Sequence, residues 1–117
     1  MRVTSDLYVS QLLRRVFADG GFAAVARRGA EAAGAIYIIA RNRDGSIRLF
    51  GPAVQTMSSG DGDRSFMTEA VTDDAALTRR FEQEARFDPD FWVVEIETAA
   101  PETYLEIIDP DAAWGPG

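Results

Sequence analysis

Val9, Leu12, Leu13, Val16 and Phe17 recur at the i, i+3, i+4, i+7, i+8 spacing that gathers side chains on one side of a helix, with polar residues between them. A first helix is expected there. Ser5 or Asp6 can accept hydrogen bonds from its first amides, Gly20-Gly21 offers the left-handed conformation that stops it, and Arg14 and Arg15 fall on the water side. The pattern then turns β-compatible, from Phe22 to Arg27 and again from Gly34 to Arg41. Ile36-Tyr37-Ile38-Ile39 in the second run suits a largely buried strand. Arg43-Asp44-Gly45-Ser46 is a turn signal, and Ile47 to Phe50 reads as the returning arm of a hairpin. Gly51-Pro52 is expected to interrupt that arm, Ser58 to Arg64 to form an exposed loop, and Phe66 to Val71 to form another strand.

Asp73 and Asp74 open a second helix, with Leu77, Phe81 and Ala85 on one face and Arg80/Glu84 and Glu82/Arg86 at the spacing of i, i+4 ion pairs. Asp88-Pro89-Asp90 ends it. Trp92 to Glu97 is a strong strand, and Tyr104 to Ile108 is its expected partner across the turn at 99–103. These elements predict an α+β fold in the order α-β-β-β-(β)-α-β-(β), an antiparallel sheet of four to six strands with two helices packed on one face. Residues 1–108 are expected to form the single domain and 109–117 a frayed C-terminal tail. A chain of 117 residues has room for one core and needs neither disulfide nor metal to hold it.

Charge and missing residue types narrow the chemistry. The net charge of -7 disfavours nucleic acid and anionic membrane surfaces as partners. All 12 basic residues are arginine, and there is no lysine, histidine or cysteine. Schiff-base catalysis, thiol chemistry, imidazole acid/base work and Cys or His metal ligation are therefore excluded. No cofactor or metal is expected. The longest apolar run, Gly34 to Ala40, is far below the roughly 20 residues that span a bilayer. Met1 and Arg2 lead into polar Thr4, Ser5 and Asp6, so a cytoplasmic location is expected.

Leu12-Leu13-Arg14-Arg15, then Gly20-Gly21-Phe22-Ala23, and above all the stretch from Glu84 through Arg86, Asp88, Asp90 and Trp92 to Glu97 resemble one family across most of the chain. It is a family of small, uncharacterised proteins known mainly from alphaproteobacteria, called domain of unknown function 1491. The resemblance implies no activity, cofactor or catalytic residue.

The first candidate site is Arg86, Asp88, Asp90, Glu95 and Glu97, since carboxylates serve as general acid, general base or oxygen ligands for a hard cation. The same residues also read as a helix stop and the solvated face of a strand. Ser58-Ser59-Gly60-Asp61-Gly62-Asp63 fits neither a dinucleotide fingerprint nor a calcium loop. Arg14-Arg15, Arg27-Arg28 and Arg79-Arg80 can grip an anion only if the fold brings them together. Tyr8, Trp92 and Tyr104 suit core packing better than a ligand pocket. The expected function is a non-enzymatic binding or protein-interaction module acting as a homodimer or with a protein partner, because hairpins leave sheet edges open. The alternative is a small enzyme or ligand-binding protein that uses carboxylates and arginines near the second helix–strand junction.

Overall fold

The structure is a computed structural model and describes residues 3–53 and 64–108. The loop expected at Ser58 to Arg64, apart from Arg64 itself, and the tail at 109–117 lie outside the described residues. Helix α1 spans Ser5–Ala18, followed by β1 (Phe22–Arg27), β2 (Ile36–Arg41), β3 (Ile47–Pro52), β4 (Ser65–Glu69), α2 (Asp74–Phe87), β5 (Trp92–Glu97), a 3-10 turn at Pro101–Thr103 and β6 (Glu106–Ile107).

Val9, Leu12 and Val16 bury the inner stripe of α1. Its start differs from expectation. Thr4 is the N-cap, and the amides of Ser5 and Asp6 donate to the carbonyls of Ala32 and Glu31 at 3.3 and 3.0 Å. The Ser5 hydroxyl is buried and donates to the Gly34 carbonyl at 2.6 Å, so the loop before β2 satisfies the helix end that a side chain would otherwise cap. Phe17 also departs from the expected core face. It is 51% exposed and meets the Phe22 ring edge-on. Gly20 and Gly45 do adopt positive φ, closing α1 and the β2–β3 hairpin. In α2, the side chain of Asp73 caps the first turn by accepting from the Ala76 amide at 2.8 Å.

The strands lie in the order β1-β5-β2-β3-β4-β6. The sheet is mixed, not antiparallel as expected: β2 pairs with β5, and β4 with β6, in parallel. The chain passes through α2 between β4 and β5, and that long connection lets β5 return alongside β2 in the same direction. The helices also do not share one face. Residues of α1 pack with Ala23, Ile36, Ile38, Ala40, Trp92, Val94 and Ile96, whereas Leu77, Phe81 and Ala85 of α2 pack with Tyr37, Ile39, Leu49 and Val93. Both sides of β2 are therefore covered, which is why its sequence is apolar without alternation.

Two strand boundaries are corrected as well. Gly51-Pro52 does not interrupt β3, which continues through both residues and pairs Pro52 with Phe66. The segment after β5 does not pair back with it. Pro101 and Leu105 are buried, and the chain crosses beneath α1 so that β6 adds to β4 at the far edge.

Candidate functional site

The expected acidic cluster is split by the length of α2. Arg86 is exposed in the last turn and Asp88 caps it, accepting from the Asp90 amide at 3.1 Å. Glu95 lies near the other end, where it accepts from Arg41 Nε at 2.9 Å while Arg41 Nη2 reaches Asp74 in the first turn at 3.0 Å. A 14-residue helix separates the two groups by about 20 Å. Glu97 is exposed on β5, in register with Phe22 and Arg41. Among the described residues no three acidic side chains converge on a metal position.

The arginine pairs diverge too. Arg15 donates to the carbonyls of Thr103 and Tyr104, Arg27 stacks 4.2 Å over Phe91 and donates to the Pro89 carbonyl, and Arg28 lies 5.0 Å over Trp92. Arg14 and Arg79 are exposed on helices that cover opposite faces. Of the aromatic candidates, Trp92 is buried in the α1-side core with its indole donating to Ala30, and Tyr8 packs there at 6.0 Å from Phe66. Tyr104 donates its hydroxyl to Asp19 at 2.7 Å.

One charged constellation escaped the sequence reading. Arg80 donates to Glu69 at 2.7 Å, to Glu84 at 2.9 Å and to the Tyr37 hydroxyl at 3.3 Å. Burial, then the hydrogen bond from its hydroxyl toward Glu84, pushes the Tyr37 phenol up to about 12. The Arg80 guanidinium is raised above its ordinary value by Glu69 and Glu84 together. Only the Arg80/Glu84 spacing was visible in the sequence, and each donor already has its acceptor. The network ties α2 to the sheet and leaves no free group to act on a ligand.

Next to it is a groove of about 350 Å³ between α2 and strands β1, β5 and β2. Ala26 on β1 contributes only a methyl group, and Leu77, Phe81 and Val93 form the apolar part of the groove lining. Of the charges on its walls, Arg41 is paired with Asp74 and Glu95, and Arg27 donates to the Pro89 carbonyl and stacks on Phe91. Such a groove suits an apolar side chain better than an ion. It borders the outer edge of β1, where the sheet ends. From Phe22 to Ala26 this edge carries no charge and no proline, the usual guards against strand pairing. A bulge at Ala26, between the pairs Val25–Val94 and Arg27–Val93, ends the regular stretch. Phe17 and Phe22 stand beside it, 51% and 53% exposed, with ring centroids 6.4 Å apart. The sequence signal for this edge is the uncharged run Gly20 to Ala26 between Asp19 and Arg27.

A profile of DUF1491, a protein family of unknown function, matches residues 3–106. An A. tumefaciens protein with a known solution structure is 44% identical, the alignment covering 93% of this chain and 97% of that one, with a TM-score of 0.79. A DUF1491 family protein of Caulobacter crescentus, known from a crystal structure, is 36% identical over 92% of this chain and 99% of that one, with a TM-score of 0.74. An NMR structure of a DUF1491 family protein from the same organism gives 38% identity, 92% and 98% coverage, and a TM-score of 0.73. No protein with a curated description matches the chain. No helix among the described residues is long and apolar enough to cross a membrane.

Proposed function

Given that this chain belongs to the DUF1491 family, whose function is unknown, we propose that it is a non-enzymatic protein-interaction module that receives an extended strand on the outer edge of β1. The carrying observation is that edge: five uncharged residues ending at a bulge, flanked by two exposed phenylalanine rings and bordered by an apolar groove. Strand addition draws affinity from main-chain hydrogen bonds and selectivity from pockets that take alternate side chains, and this edge supplies both. The ion pairs near α2 support a structural role over a catalytic one, because Arg41 and Arg80 are each engaged by two carboxylates.

Extended peptides selected from a displayed library, then titrated into isotope-labelled protein at dilute concentration, test the reading. Resonance shifts confined to β1, Leu77 and Phe81, and lost in Ala26→Lys, are expected. Binding that maps elsewhere, that survives Ala26→Lys, or that is not found at β1 at all refutes it.

A further inference from the structure

We infer that the strand received by β1 is the β1 of a second copy of this chain, running antiparallel about a two-fold axis at Ala24. The inference rests on the edge reading above and adds the identity and direction of the partner. Charge along the edge carries it. Asp19 and Glu97 stand exposed at the Phe22 end, Glu97 in register with Phe22, while Arg27 and Arg28 occupy the other end. The edge is therefore acidic at its start and basic at its finish.

A parallel strand of the same sequence would set like charges side by side. An antiparallel copy brings Arg28 of each chain to the Asp19–Gly20 end of the other, so both ends are matched at once, as a two-fold interface requires. Side-chain size agrees. Centring the pair on Ala24 sets Phe22 of one copy opposite Ala26 of the other, so the largest side chain of each edge meets the methyl-sized gap at the groove of its partner. Arg28 can reach this contact because its side chain is 66% exposed, although it also lies over Trp92 and pairs with Glu31 at 4.0 Å.

Sedimentation of the full chain from about 1 to 500 µM, the range suited to a small edge interface, tests the proposal. The wild type is expected to pass from monomer to dimer. Asp19→Arg and Arg28→Asp should each weaken the dimer by about tenfold or more, because each places like charges at both ends of the interface. An equimolar mixture of the two variants should recover dimer, since the contacts between positions 19 and 28 at both ends of the mixed pair are again between opposite charges. A wild type that stays monomeric throughout overturns the second copy as partner, and the peptide experiment then decides the edge reading by itself. A dimer lost in Ala26→Lys but indifferent to both reversals overturns the antiparallel register and keeps the edge. A dimer that none of the three substitutions weakens overturns both.

Discussion

Gly51 lies in β3 beneath the Glu69 carboxylate and the Tyr37 ring, where an added methyl group would press on Glu69 Oε2 and come within 3.1 Å of Tyr37 Cε2. Its φ is not positive, so the need for glycine here is one of space rather than backbone freedom. Gly51→Ala should cost about 1–3 kcal/mol in urea unfolding by pushing Glu69 off Arg80. A neutral result would mean that the carboxylate moves aside freely. Trp92 is a second test at this scale, being 1% exposed with its indole bonded to Ala30 at 2.8 Å. Trp92→Ala should lose about 3–5 kcal/mol. The Tyr37 hydroxyl, pushed up to about 12, favours the fold in its protonated form. Its contribution is intact below the unfolded value of about 10 and is lost as pH climbs through the folded one. A tyrosinate absorbance step near pH 12 that Tyr37→Phe removes is expected. A Tyr37 step at the ordinary value in folded protein would contradict the burial argument.

At the scale of elements, α2 is fastened to the sheet by two arginines of unequal worth. The side chains of Arg80, Glu69 and Glu84 are 18–25% exposed, so Arg80→Met strands two half-buried carboxylates and should cost about 2–4 kcal/mol. Asp74 is 75% exposed, and Arg41→Met should cost about 1 kcal/mol or less. Equal losses in paired denaturation curves would show that burial does not set the difference. The helices and the β2–β3 hairpin were legible in the sequence because periodicity and turn residues are local signals. The covering of both sheet faces leaves its trace in the unbroken apolar run Ile36 to Ile39, yet the expected arrangement put both helices on one face, because a buried strand does not say which helix covers which side. The Arg80 network was not, since Tyr37 and Glu69 lie 43 and 11 residues away along the chain. Glu82/Arg86 had the right spacing, yet both side chains face water and among the described residues they form no pair. Strand β6 was misplaced because burial of Pro101 and Leu105, not the pattern of Glu106 and Ile107, decides which edge the chain reaches.

For the whole molecule, the lack of histidine and cysteine leaves no side chain of ordinary pKa to titrate between about pH 6 and 8. Urea midpoints should therefore be nearly flat across that window. A clear slope abolished by replacing one acid with its amide would nominate that acid as a functional group. The order of the strands has a consequence in time. Among the described residues β1 is joined to the sheet only through β5, so Phe22 must wait for Glu97 before its place exists. On a ribosome adding roughly 5–20 residues per second, those 75 residues take several seconds. Throughout that interval the nascent chain carries α1 and β1 with no neighbouring strand to hold them. Closing so long a loop is the slow entropic step, and it cannot begin until β5 has been made. A nascent chain halted before Trp92 should therefore be degraded readily from its N-terminal side, whereas one halted after Glu97 should resist.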